Sequence, residues 1–381
     1  MTPAPTAPAT TTCACPETPL KAPESASPEL RGRLVPASWN DLPDWGADSL
    51  APALTALLQS CTALASQPPW QAACSAAAQL PGNAGKRRLR NYFETWFAPY
   101  QVINGDGTAS GMITGYYEPL LNGSRHRSKR YRYPLYAAPD DLLTIDLTSV
   151  YPDLKGKRLR GRLQGNRVLP YYSRAELETI DAPIKGRELV WVDDPIDAFF
   201  LQIQGSGQVN LDTGETMRVG YADQNGHPFR SVGRYLIQSG ELRLEQTSMQ
   251  GIKAWARRHP DKLDAFLNVN PSYVFFRELP LNLPGPLGTL GVPLTPERSI
   301  AVDQRVIPLG VPVYLATTRP NSAEPLNRLM AAQDTGGAIN GGVRADFFWG
   351  FGDAAGRLAG VMKQSGRMWV LFPKGYPPPA Q

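Results

Sequence analysis

Between about Trp39 and Trp96 apolar residues recur at three- and four-residue intervals. Leu50, Leu54, Leu57 and Leu58, then Leu89, Tyr92, Phe93, Trp96 and Phe97, trace the faces of amphipathic helices. Pro68-Pro69 interrupts the Ala/Leu-rich stretch Thr55–Gln79, which predicts two helices joined by a turn. After Pro99 the pattern changes. Met112–Tyr117 is rich in strand-forming residues and ends at Glu118-Pro119. The next roughly 160 residues predict short β-runs between turns, Glu188–Val192 and Phe199–Gln204 among them. One helical stretch, Met249 to Leu267, interrupts these runs and carries Ile252, Trp255, Ala256 and Phe266 on one face. The C-terminal third predicts strands at Ser299–Val302, Val311–Leu315, Arg328–Ala332 and Met368–Phe372, separated by turns such as Pro308-Leu309-Gly310 and Thr335-Gly336-Gly337. Many short strands without helical spacers predict a small closed barrel rather than a parallel βαβ sheet.

Composition narrows this picture. At roughly 150 residues per domain, 381 residues suggest two domains or one domain carrying a large insertion. The 35 Gly and 37 Pro make turns frequent, which excludes a coiled coil or a helical solenoid. No apolar run approaches the ~18 residues of a membrane-spanning helix. The 8 Trp, 15 Tyr and 12 Phe suffice for packed interiors and exclude disorder throughout. A net charge of +5 says little about partners, because the one dense basic run, Arg125–Arg132, reads first as a solvated loop and second as a contact for an anionic polymer. No nucleic-acid partner is expected.

Residues 1–30, dominated by Pro, Thr and Ala, are expected to be a disordered tether. It shows no charged segment followed by an apolar one, hence no visible export signal, and lipidation of Cys13 or Cys15 would need a start upstream of Met1. Cys61 and Cys74 fall one on each helix of the Pro68-Pro69 hairpin, where a disulfide and two buried thiols both fit. The four cysteines with His126, His227 and His259 lack metal-ligand spacing, so neither a metal nor another cofactor is expected.

Three aspartates in the last third stand beside strand-forming residues. Asp303 and Asp334 read as turn carboxylates accepting backbone N–H bonds. Asp346 precedes Phe347, Phe348 and Trp349, with Phe351 nearby, and two readings fit: an ordinary turn aspartate beside core aromatics, or a carboxyl whose pKa an aromatic surround would raise, keeping it protonated as a general acid requires. Two Asp-Thr-Gly triplets, at Asp212 and Asp334, invite an aspartic-protease reading, but Glu215 and Gly337 follow them and the first sits in a hairpin turn. Gln204-Gly205-Ser206-Gly207 is followed by Asn210 rather than a third glycine, which disfavours a dinucleotide loop. Its glycines suit either a plain hairpin or close approach of a bulky polar ligand. Ser206 lacks a plausible His-Asp partner.

Thr114–Pro119, Gln204–Gly207, Asn225-Gly226-His227 with Arg230–Gly233, Asn270–Phe276 and the three-aspartate region occur together, in order. This set resembles the membrane-bound lytic murein transglycosylase A family with its C-terminal three-aspartate domain. The resemblance implies a mainly β protein with N-terminal helices. It assigns 31–117 and 281–375 to a discontinuous double-psi β-barrel, and 118–280 to an inserted β domain forming the other wall of a glycan groove. It implies cleavage of the β-1,4 bond between N-acetylmuramic acid and N-acetylglucosamine in peptidoglycan, leaving 1,6-anhydro ends, with Asp346 as the single acid/base. Asp334 and Asp303 become supporting residues, and Thr114, Gly115, Tyr116, Gln204, Gly205, Ser206 and Gly207 line the groove. The family further implies a periplasmic, outer-membrane-associated monomer, lipid-anchored and working beside other cell-wall enzymes. The rival reading is a non-catalytic, expansin-like wall-binding protein.

Overall fold

The computed structural model describes residues 32–154, 157–179, 182–376 and 378; the expected tether, with Cys13 and Cys15, lies outside them. The chain opens with β1 (Gly32–Pro36), α1 (Leu50–Leu64), α2 (Pro68–Ala78), α3 (Lys86–Trp96), β2 (Phe97–Asn104) and β3 (Gly111–Glu118). The middle holds β4 (Leu120–Ser124), β5 (Tyr133–Tyr136), β6 (Leu143–Thr144), β7 (Arg160–Gln164), β8 (Arg167–Pro170), α4 (Arg174–Leu177) and β9 (Glu188–Val192). It continues through α5 (Pro195–Gln204), β10 (Ser206–Leu211), β11 (Thr216–Gln224), α6 (Val232–Gln238), α7 (Met249–Arg258), α8 (Leu263–Leu267) and β12 (Val274–Leu279). The last third is β13 (Ser299–Val302), β14 (Pro312–Thr318), β15 (Pro325–Asp334), β16 (Ala345–Phe351), α9 (Gly352–Ala359) and β17 (Lys363–Pro373).

Strands β17, β14, β15, β13, β16 and β3 are neighbours in that order, and β3 pairs back onto β17, so six strands close a ring. The long β17 makes closure possible: Lys363–Gly366 pair with β3, while Trp369–Pro373 pair with β2. Two neighbouring pairs are parallel, β13 with β15 and β16 with β3. Ile113, Ile300, Val313, Met330, Phe347 and Met368 are buried in one core that also takes the apolar faces of α1, α2 and α3. Helix α1 is fastened to the ring through Gln333, whose Nε2 donates to Ala56 O and Ser60 Oγ at 2.8 and 3.0 Å.

Cys61 and Cys74 form a disulfide that joins α1 to α2, resolving the alternative left by the sequence. With its cysteines 13 positions apart in the chain, the bridge restricts the unfolded chain. Replacing both by alanine is expected to cost about 3 kcal/mol in urea unfolding.

The middle of the chain builds a six-stranded sheet, β12-β11-β10-β4-β9-β5, and a small one, β6-β7-β8. It is richer in helices than expected, and Phe199–Gln204, read as a strand, is the second half of α5. The local alternation is overridden by the helix start. The Asp194 carboxylate accepts from Ile196 N and Asp197 N, Pro195 occupies the first turn, and Phe199, Phe200 and Leu201 are buried. Gly205 ends α5 at φ +81°, a left-handed position that glycine takes at least cost. Asp212-Thr213-Gly214 is the β10–β11 hairpin turn, as expected. The chain passes between the two sheet systems at Pro119 and again between Leu279 and Ser299. Arg218 ties both passages, pairing with the buried Glu118 at 3.0 Å and donating to Leu283 O at 2.7 Å.

Candidate active site

The parallel pairing of β16 with β3 sets Asp346 beside Thr114 and Phe348 beside Tyr116. Successive strand side chains alternate in direction. Ala345, Phe347, Trp349 and Ile113 therefore enter the core, and Asp346, Phe348, Thr114 and Tyr116 share the opposite face. This corrects the expected aromatic surround. Of the four rings only Phe348 shares the face of Asp346, its centroid 5.1 Å from that of Tyr116 with the rings tilted; Phe347 and Trp349 lie behind the strand and Phe351 is exposed. The expected direction of the Asp346 pKa holds for a different reason. Burial between the strands pushes it above the ordinary carboxyl value and the Asp334 charge adds to this, while the Thr114 hydroxyl and the Arg344 cation oppose.

Asp346 remains partly accessible, and Thr114 Oγ1 donates to its Oδ1 at 2.6 Å. The other two aspartates are differently occupied. Asp334 Oδ1 accepts from Thr289 N, Thr289 Oγ1 and Thr335 N at 2.8–2.9 Å, and its Oδ2 accepts from the Tyr116 hydroxyl at 3.1 Å. Burial raises the Asp334 pKa against these donors. Burial of the Tyr116 phenol, with Asp334 and Asp346 nearby, pushes its pKa well up, so it stays a donor.

Asp303 does not join this cluster. Its carboxylate takes the Arg305 guanidinium at 2.7 Å, Arg305 N at 3.1 Å and Gly341 N at 2.9 Å. Burial pushes the Asp303 pKa up, but these donors outweigh it and hold it below the ordinary value. Asp303 thus pins the loop that carries the chain from Asp334 to Asp346, with help from Arg305 on Asn340 and from Asn104 on Val343 N. Both Asp303 and Asp334 accept backbone N–H bonds, as their turn settings suggested.

Gly115 alternates to the core side, where a Cβ would lie 2.7 Å from Trp349 Nε1; its role is close packing under Trp349. Gln204 Oε1 accepts Tyr117 N at 3.0 Å, which joins the start of the α5–β10 turn to β3. Ser206 is largely buried and Gly207 packs against Leu201 and Pro119. Sequence reasoning missed Thr289 and Arg344. Thr289 carried no local signal. Arg344 did, because it stands two residues before Asp346 at the entrance to its strand.

Comparison with known proteins fits this arrangement. The family model for the MltA specific insert domain matches residues 112–277, and that for the 3D domain matches residues 298–372. Membrane-bound lytic murein transglycosylase A of Escherichia coli K12 is 32% identical over 290 residues, covering 74% of this chain and 71% of the relative. The crystal structure of MltA from Neisseria gonorrhoeae superposes with a TM-score of 0.79 at 40% identity, covering 91% of this chain and 94% of that one. E. coli MltA with bound chitohexaose superposes with a TM-score of 0.68 at 26% identity, covering 89% of this chain and 93% of that one. No helix among the described residues is long and apolar enough to cross a membrane. With both family models matched and a curated relative aligned over 71% of its length, the chain belongs to the membrane-bound lytic murein transglycosylase A family.

Proposed function

We propose that this protein is a peptidoglycan lytic transglycosylase in which Asp346 is the only acid/base. The observation that carries the reading is the unequal occupancy of the three aspartates. Protein donors take both oxygens of Asp303 and of Asp334, whereas Asp346 accepts one hydrogen bond, from Thr114, and keeps Oδ2 open among the described residues. Glycosidases with two working carboxylates need a second free Asp or Glu as base or nucleophile. Among the described residues none stands beside Asp346, since Asp334 is spoken for by four donors. An internal nucleophile removes that need. Asp346 gives its proton to the oxygen between the muramyl and glucosaminyl residues, and the C1–O bond breaks with its electron pair leaving on that oxygen. The resulting carboxylate takes the proton of the muramyl C6 hydroxyl as O6 bonds to C1. The carboxyl group is restored and no water is consumed.

The six-stranded ring with its two parallel pairs supports a double-psi barrel drawn from 31–117 and 281–375, with 118–280 as the inserted domain and the glycan strand in a groove between them. Chitohexaose bound to the E. coli protein supports a polysaccharide ligand. The relatives' membrane-bound naming supports association with a membrane, which in this reading is the outer membrane, with the enzyme lipid-anchored on its periplasmic side.

Digestion of purified murein sacculi followed by mass spectrometry tests the reading. Muropeptides with 1,6-anhydro ends are expected. Reducing ends would indicate hydrolysis, and sedimentation with sacculi without any product would favour the expansin-like alternative. Thr114→Val removes the one donor to Asp346 and is expected to lower kcat roughly tenfold, the scale of a hydrogen bond to a charged group, with the melting temperature nearly unchanged.

A further inference from the structure

Two rows of side chains run along the outward face of the β16–β3 pair, Phe348 with Tyr116 and Asp346 with Thr114. Arg344, the residue just before β16, and Met112 stand where a third row would fall, beyond the paired Ala345 and Ile113. Rows on one face of a strand are about 7 Å apart. Arg344 is half-buried, and its Nη1 donates to Met112 O at 3.2 Å and to Ala345 O at 2.6 Å. The guanidinium is therefore fixed by backbone of β16, which carries the acid, and of its neighbour β3. Among the described residues it makes no hydrogen bond to Asp346, whose donor there is Thr114.

We propose that Arg344 is a positioning residue for the reaction: a non-titrating cation held one row from Asp346, which stabilises the carboxylate formed by proton donation until it takes the C6 hydroxyl proton. The inference rests on the acid/base reading of Asp346. The geometry suits a group that must be an acid first and a base second. A bidentate contact would keep the carboxyl ionised and spoil the donation, as Arg305 does to Asp303. No cation at all would leave a buried carboxylate opposed by the charge of Asp334. A guanidinium one row away tips the balance without closing it. Arginine suits this place because it stays charged even where burial lowers its pKa.

Among the described residues, the charged or titratable groups around Asp346 are Arg344 just before its strand, Tyr116 on β3 and Asp334 at the end of β15, while Lys363 on β17 pairs with Thr114. Among these, Arg344 is the cation with a resolved effect on Asp346, and that effect favours the ionised form.

The test uses full-length Arg344→Gln and Arg344→Lys with soluble murein glycan strands, following kcat and KM against pH and the Asp346 carboxyl by carbon-13 NMR. A general acid loses activity as pH rises through its pKa, so removing the cation should move the alkaline limb of kcat upward by roughly one unit. Below the limb Arg344→Gln should lose about tenfold in kcat with KM within about twofold, a loss in the transition state rather than in binding. Arg344→Lys should return the limb most of the way. The NMR titration of Asp346 should shift upward in Arg344→Gln, and Arg344→Met replaces that variant if it does not fold. A raised KM with an unmoved limb would make Arg344 a substrate ligand and overturn the proposal, as would an Asp346 titration indifferent to the residue at 344. The titration needs no turnover, so a failure of the acid/base reading, seen as activity surviving Asp346→Asn, is separable from a failure of this inference.

Discussion

Asp346→Asn is expected to abolish formation of anhydro-muropeptides, with a loss in kcat of at least about 10³-fold. General acid–base assistance contributes roughly 10²–10⁴ for one proton transfer. Here one carboxyl serves both the departure of the leaving group and the activation of the C6 hydroxyl, and Asp334 is too heavily bonded to take over. The asparagine amide oxygen can still accept from Thr114, so the strand pair keeps its hydrogen bond and the variant should sediment with sacculi as the parent does. Stability should move the other way from activity. An acid whose folded pKa is raised above its unfolded value stabilises the fold below the unfolded value, and that contribution disappears as pH rises through the folded one. At neutral pH Asp346 therefore works against folding. A neutral asparagine escapes that cost, so the urea midpoint should be equal to or above that of the parent, the usual exchange of stability for function at an active site. Turnover in the variant near the parental rate would remove Asp346 from the chemistry, while a collapsed midpoint would make the loss of activity structural.

Much of the ring was legible because its strands are short β-branched or aromatic runs cut by Gly and Pro; Ser299–Val302 and Met368–Phe372 lie where the pattern put them. Helix α5 was not, because Phe-Phe-Leu-Gln-Ile-Gln imitates a strand and its Asp194-Pro195 start outweighs six residues of local alternation. Asp346 was legible as a raised carboxyl, but its chain neighbours misled, since Phe347 and Trp349 project to the far side. Its true surroundings come from Thr114, Tyr116 and Asp334. Thr114 lies 232 residues away, brought in by a parallel pairing that no local pattern encodes. Only the ordered motifs of a family resemblance grouped these residues in advance. Arg344 lay within reach of elementary geometry, since it stands two residues before Asp346 at the entrance to β16.

Asp48→Ala is expected to destabilise the fold by about 3–5 kcal/mol, the cost of leaving a buried charge without its partner. Asp48 and Arg298 are both nearly inaccessible and meet through two hydrogen bonds of 2.7 and 2.8 Å. Asp48 Oδ2 also accepts Leu329 N at 2.8 Å, and Arg298 donates to Leu329 O and Ser49 O. The cluster joins the entrance of α1 to the start of β13 and the middle of β15. β13 in turn pairs Ala301 with Asp346. Losing Asp48 therefore loosens the strand directly behind the acid, and activity should fall at temperatures where the parent is still fully active. Urea unfolding gives the magnitude, and a second substitution identifies its source. If the cost comes from an orphaned guanidinium, Asp48→Leu/Arg298→Met should recover most of it, because a buried ion pair replaced by apolar residues of similar volume is often neutral or better. If the double variant stays as weak as Asp48→Ala, the bonds to Leu329 and Ser49, which neither leucine nor methionine can make, hold α1 to the ring, and the charge is incidental.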